Sequence, residues 1–279
     1  MTNICTAPVY ELKELNNIFI ELTAKNCTHR CPSCYIKFND NFSINKTIKD
    51  FIPIEKVKEA LCHTKQENLH CIYLTGAEPM THPDFNSILR LCLKRCNVCI
   101  CTSGSSLNEK KIRFLNKVEN ESENQIFFKL SLTHFDELEN DKSKYRGNYR
   151  QTLFVLKTLE RYNFNSILTI QNIHNIKETE IKDNFGKIFS EHEIKNTDLK
   201  IICSHPNFEE KHFMQQANKT DCMYSRTISN NGIYACPFLA SDYRGRVGST
   251  FQNYSKTFMA ETDFCATCSK NNDFIFTIG

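Results

Sequence analysis

"NIFIELTAKNCTHRCPSC", residues 17–34, passes from an apolar, β-rich segment straight into three cysteines. Its opening, "NIFIEL", is short and almost unbroken in apolar character, as a strand buried on both faces is. Its close carries the spacing Cys27-x3-Cys31-x2-Cys34. A disulfide takes two thiols and a closed zinc site takes four ligands, so three thiols on one short loop need another account.

The strand at the head of this stretch is the first of a series. Further candidates are "HCIYLT" (70–75), "NVCICT" (97–102), "IFFKLSL" (126–132), "SILTIQ" (166–171) and "DLKIIC" (198–203). Segments with helical signals lie between them. "PIEKVKEALCHT" and "PDFNSILRLCLKRC" each begin with proline at a first-turn position. "NEKKIRFLNKV" opens on Asn108, a capping residue type. "YRQTLFVLKTLERY" and "ETEIKDNFGKIFSE" repeat apolar residues every three or four positions. Strand and helix in alternation predict a parallel sheet with right-handed crossovers, either open and doubly wound or a partial barrel. After residue 206 the rhythm ends. "RTISNNGIYACPF" sets Asn231-Gly232 among alternating residues, a hairpin signal, and the sequence divides into a core over 1–206 and a small C-terminal cap over 207–279.

The chain has 279 residues, 40% of them hydrophobic, enough to bury a sizeable core. A net charge of +3 gives no reason to expect nucleic acid or an anionic membrane as a partner. No signal peptide opens the sequence and no apolar run reaches the length of a membrane span, so a soluble, cytoplasmic protein is expected. The fifteen cysteines are an odd number, which with that compartment speaks against a disulfide framework. Cys71, Cys99, Cys101 and Cys203 fall inside strand candidates and read as core residues. Two groups do not: Cys27, Cys31 and Cys34, and later Cys222, Cys236, Cys265 and Cys268.

Sites in parallel α/β folds gather at the carboxyl ends of the strands, where the first group lies. Three thiolates there can hold three irons of a 4Fe–4S cluster and leave the fourth iron open to a ligand. Three thiolates with His29 around zinc are the alternative. Other strand ends add to the pattern. The second closes in Gly76-Ala77-Glu78-Pro79, the third in Thr102-Ser103-Gly104, and the fourth in "SLTHFD" with Ser131 at its head. Together with the triplet and the aromatic Tyr35 after it, this series resembles the radical S-adenosylmethionine (radical SAM) enzymes. Gly76–Pro79 is similar to that family's Gly-Gly-Glu-Pro, with Ala77 as a departure.

The resemblance covers about residues 17–206 and implies a partial (β/α)6 TIM-like barrel. It implies a 4Fe–4S cluster on Cys27, Cys31 and Cys34, with S-adenosylmethionine (SAM) at the open iron beside Gly76, Ala77, Glu78, Pro79, Ser103 and Ser131. Glu78 is expected to pair with the SAM ammonium, since a carboxylate suits an ammonium. The implied reaction is reductive cleavage of SAM to methionine and a 5′-deoxyadenosyl radical, which abstracts hydrogen from an organic substrate. An electron donor such as flavodoxin or ferredoxin is implied as a partner.

Cys222 precedes the expected hairpin, Cys236 follows it, and Cys265-x2-Cys268 comes near the end. This set looks like the SPASM/twitch cap of some radical SAM enzymes, and only "SKNNDFIFTIG" follows the last pair, which favours the one-cluster twitch form. A second, auxiliary 4Fe–4S cluster is thus implied, with a structural zinc site as the alternative. Among the remaining residues, His134, Asn172 and Asn175 lie near strand ends and are weighed equally as site residues and as surface or turn residues, while Arg150, at a helix start, is read as solvated helix charge in preference to a contact with the SAM carboxylate. No residue is singled out as a catalytic acid, base or hydrogen donor. Only 26 residues precede Cys27, so the expected substrate is a small molecule or short peptide, the reaction being oxidation, epimerisation or rearrangement. The alternatives are a maturase or epimerase of a ribosomally made peptide and a non-catalytic iron–sulfur or zinc-binding scaffold.

Overall fold

A computed structural model describes residues 9–11, 15–29, 31–32, 34, 50–64, 68–202, 225–240 and 245–259. Strands β1 (Val9–Glu11) and β2 (Asn17–Thr23) come first, then helix α1 (Ile54–His63). The alternation read from the sequence follows: β3 (Cys71–Gly76), α2 (Phe85–Leu93), β4 (Asn97–Cys101), α3 (Glu109–Asn120) and β5 (Ile126–Leu132). Two helices, α4 (Glu137–Ser143) and α5 (Asn148–Arg161), lead to β6 (Asn165–Gln171), α6 (Glu178–Glu191) and β7 (Thr197–Ile202). Five short strands close the described chain: β8 (Ser225–Ser229), β9 (Gly232–Tyr234), β10 (Arg246–Thr250), β11 (Asn253–Tyr254) and β12 (Thr257–Met259).

The main sheet has ten strands in the order β11-β10-β9-β8-β2-β3-β4-β5-β6-β7, and β1 pairs with β12 apart from it. Strands β2 to β7 are all parallel to their neighbours. The sheet has two ends and does not close, which makes this the expected partial barrel with helices on its outside. β8 lies parallel beside β2, so β8 to β11 continue the same sheet while β12 pairs with β1. No described helix is long and apolar enough to cross a membrane.

Side-chain alternation along the strands separates two environments. Ile18, Ile20, Ile72, Leu74, Val98, Ile100, Phe128 and Leu130 face the helices and share one core cluster with Ile88, Leu115 and Leu156. The alternate residues form the inner face, among them Phe19, Glu21, Tyr73, Cys99, Cys101 and Lys129. Phe19 stacks on Tyr73 there, ring centres 4.6 Å apart. The core is therefore apolar outside the sheet and mixed within it.

Two local features differ from the sequence expectation. The hairpin exists, but Ser229 pairs with Gly232, so its turn is Asn230-Asn231. Gly232 serves the next contact instead: a Cβ there would lie 2.6 Å from the Gly248 carbonyl oxygen of β10. Helix α4 was not expected from the sequence. Asp136 caps it, its carboxylate accepting from the Leu138 and Glu139 N–H groups.

Asn108 does cap α3, its side chain accepting from the Lys111 N–H at 2.9 Å. Asn108→Ala is expected to lower stability by about 1 kcal/mol. A urea melt should show a lower midpoint with an unchanged slope, and Asn108→Asp should restore the midpoint.

Candidate active site at the carboxyl ends of the strands

β2 ends beside an irregularity in its pairing: Glu21 stands opposite Thr75, and Thr23 opposite Gly76. The extra residue turns the chain out of the sheet into the cysteine loop. One carboxylate fixes that departure. Asp50 Oδ1 accepts from Thr23 Oγ1 at 2.8 Å, from the Lys25 N–H at 3.0 Å and from the Asn26 N–H at 3.2 Å. Nothing in the spacing of the sequence marks Asp50, which lies 16 residues beyond Cys34.

Cys27, Cys31 and Cys34 are half-buried on this loop. The Cys34 N–H donates to the Cys31 carbonyl at 3.1 Å, and the His29 N–H to Cys27 Sγ at 3.4 Å. Burial pushes the Cys27 thiol up, the His29 N–H works the other way, and the negative charge of Glu78, Cys31 and Cys34 adds to the rise. Three sulfurs that feel one another electrostatically are a donor set that metal charge would stabilise as thiolates. Among the described residues no three His, Cys, Asp or Glu side chains surround one point as a mononuclear site requires. A four-iron cluster takes each thiolate on a separate iron, and this donor set fits it. The His29 ring stacks on Tyr145 with centres 3.4 Å apart, which leaves it an aromatic role in the loop.

The second motif is built on a close backbone approach. Gly76 has φ +126°, and a Cβ there would come within 2.3 Å of the Thr23 carbonyl oxygen. The same oxygen accepts from the Ala77 N–H at 2.9 Å. Pro79 opens a short 3-10 turn, Pro79–Thr81. Glu78, before it, is fully buried and its carboxylate is already engaged. Oε1 accepts from Thr102 Oγ1 at 2.7 Å and the Met80 N–H at 3.3 Å; Oε2 accepts from Ser103 Oγ at 2.7 Å and the Ser103 N–H at 2.9 Å. Burial raises its proton affinity while these hydrogen bonds oppose the rise. In this arrangement Glu78 joins the loop after β3 to the loop after β4.

Ser131, at the end of β5, meets a residue that sequence reasoning passed over. Lys144, just beyond α4, donates from Nζ to Ser131 Oγ at 2.9 Å and to Gln171 Oε1 of β6 at 3.4 Å. The residue is half-buried, desolvation lowers the proton affinity of its amine, and Cys31 and Cys34 pull the other way. The ammonium thus lies at the same strand edge as Ser131 and Gln171. Asn140 holds the segment in place, accepting from the Thr133 N–H at 2.9 Å and donating to Asn148 Oδ1 at 3.0 Å.

The remaining candidates fall into ordinary roles, with one exception. Arg150 is exposed and pairs with Glu137 Oε1 at 2.7 Å. Asn172 closes a turn by bonding both backbone groups of Ile176, and Asn175 takes a left-handed conformation in that turn. His134 is the exception: it stands at the carboxyl edge, its ring 5.1 Å from that of His174, and burial lowers its proton affinity. Of the second cysteine set, Cys236 is buried at the start of the 3-10 turn Pro237–Leu239. Cys222, Cys265 and Cys268 lie outside the described residues, as do Tyr35 and Cys203.

The sequence family described as the radical SAM superfamily matches residues 22–186. No protein of curated function matches the chain by sequence. Solved structures of Streptococcus suis SuiB share the fold. SuiB bound to precursor peptide SuiA is 13% identical with a TM-score of 0.61, the match covering 88% of this chain and 64% of that one. Uncomplexed SuiB gives 12%, 0.61, 86% and 64% for the same measures. SuiB bound to S-adenosylmethionine gives 13%, 0.62, 86% and 64%. This chain thus spans 64% of the length of those structures, and at such identity the likeness is one of fold.

Glu21, on the inner face of β2, provides a test of this interior. Burial raises its carboxyl from an ordinary 4.5 to about 8. The folded form therefore holds a proton at neutral pH that the unfolded form releases. The sign follows: this contribution is complete below about 4.5 and is lost as pH rises to about 8. The wild-type unfolding midpoint should fall across that window, and Glu21→Gln should flatten the fall.

Proposed function

The chain belongs to the radical SAM superfamily, and we propose from this that it cleaves SAM reductively and uses the radical to take hydrogen from an organic substrate. One observation carries the reading: Lys144, hydrogen-bonded to Ser131 and Gln171, and a half-buried cysteine triplet gather at the carboxyl edge of the sheet. Cys27, Cys31 and Cys34 would hold a 4Fe–4S cluster, which when bound supplies the electron that breaks a carbon–sulfur bond of SAM.

The protein's own residues do the positioning. Lys144, held by Ser131 and Gln171, offers its ammonium to the carboxylate of SAM. Gly76 and Ala77 bring backbone to the cluster loop, and Pro79 starts the turn that follows. Glu78 acts through Ser103 by fixing the loop after β4. The electron is expected from a flavodoxin or ferredoxin. A non-catalytic scaffold would have no use for an ammonium held by Ser131 and Gln171 at the strand edge that carries the triplet, so the enzyme reading is preferred.

For the substrate, a small molecule undergoing oxidation, epimerisation or rearrangement is one reading. A ribosomally made peptide is the other, supported by the likeness in fold to SuiB bound to precursor peptide SuiA. Cys222, Cys236, Cys265 and Cys268 are proposed as ligands of a twitch-type auxiliary cluster, with zinc as the alternative metal.

Anaerobically reconstituted and reduced protein should convert SAM to 5′-deoxyadenosine and methionine, and replacing Cys27, Cys31 and Cys34 together by alanine should abolish this. Iron analysis should give about eight irons per chain in the wild type and about four in the triple variant, one cubane each. Cleavage persisting in the triple variant overturns the reading, and zinc in place of the residual iron would make the second site structural. Lys144→Met should weaken SAM binding by roughly ten- to a hundredfold, the worth of a charged hydrogen bond, while the cluster's visible absorbance stays. An unchanged dissociation constant would remove Lys144 from the site.

A further inference from the structure

The inner face of the sheet holds another lysine, fully buried, that SAM does not need. Lys129 of β5 has no exposed surface, and its Nζ has no hydrogen-bond partner among the described residues. Cys101 stands opposite it in register, yet no sulfur or oxygen lies within bonding reach of the amine. Burial lowers the proton affinity of the amine while Cys101, Cys99 and Cys71 work the other way, and the Tyr73 ring centre lies 5.9 Å away, at the outer limit of cation–π range. A buried ammonium without a counter-charge costs several kcal/mol, and an apolar residue of the same length would avoid the cost.

A second orphan stands on the next strand. Thr169 Oγ1 of β6 is buried and has no partner among the described residues. The register sets Lys129 opposite Ile167 and Ser131 opposite Thr169, so Lys129 and Thr169 are diagonal neighbours on one face. Toward the carboxyl edge from Lys129, Ser131 and Gln171 are occupied by Lys144. The two lysines thus sit at different depths, the outer one partnered and the inner one not.

We propose that Lys129 and Thr169 form a subsite for a carboxylate carried by the substrate. This rests on the radical SAM reading and narrows its substrate class. An ammonium beside a hydroxyl supplies one charge and two kinds of donor, which suits the two oxygens of a monoanion. Glu21, on the inner face of β2, is not among the groups that act on the lysine, and burial raises its carboxyl to about 8. The four-carbon stem lets the amine swing toward the strand edge, where Glu21, Ser131 and Gln171 keep residual exposure of 7%, 7% and 9%. The carboxylate comes from a free acid or from an acidic residue of a peptide.

The test uses reconstituted protein with SAM and two matched pairs of probes at equal ionic strength. Succinate is compared with succinamide, and acetyl-Gly-Glu-Gly-amide with its Gln counterpart, by calorimetry. At least one acid should bind wild type ten times or more tighter than its neutral partner, and Lys129→Met should erase the difference. Thr169→Val should reduce it, and keeps the test open if Lys129→Met fails to fold. Preference for succinate assigns a small acid, and preference for the tripeptide assigns an acidic peptide residue. No discrimination in the wild type, or discrimination that survives in the variants, overturns the subsite. Wild type that fails to produce 5′-deoxyadenosine overturns the radical SAM reading instead, whatever the probes do.

Discussion

A carboxylate withdrawn from water must find its donors in the protein, and Glu78 finds four of them on neighbouring loops. The arrangement depends on Gly76, whose backbone passes too near Thr23 for any side chain. Because Thr23 also begins the cysteine loop, the ends of β2, β3 and β4 are fixed to one another. The triplet, the glycine motif and the serine motif are in this sense one structure. Their order along the chain follows from the order of the strands that carry them.

That order is why the fold was legible. Each strand candidate from 17 to 203 contains an observed strand to within a residue or so, since strands covered on both faces leave apolar runs that helices with polar faces do not. The capping asparagine and the prolines marked helix starts for the same local reason. Helix α4 escaped because it is short and polar, and its signal is only Asp136 with acidic residues after it. The hairpin turn was misplaced by one residue because Gly232 looked like a turn glycine and is instead required by the nearby β10 backbone.

The site was legible only in part. Cysteines and glycines are rare residues in fixed patterns, so they announced themselves. Asp50 and Lys144 did not, because a single aspartate in a loop or a lysine after a helix has no distinctive neighbours, and their meaning arises from contacts across 13 to 27 residues. Lys129 and Glu21 did leave a trace. Each interrupts an apolar run, "IFFKLSL" and "NIFIEL", and a charge inside a strand buried on both faces has to point somewhere polar.

The pairing of β8 with β2 has a further consequence, for the way the protein is made. Ile18 and Arg226 are register partners although about 200 residues separate them in sequence. Contacts of such span form late, because the loop they close must be paid for before they give any return. On a ribosome, β2 emerges about 200 residues before β8, and over that interval of synthesis one of its two edges stays bare. The strand that leads into the cysteine loop is thus completed by a segment made much later, and newly made protein passes through an interval in which that edge is open to other chains.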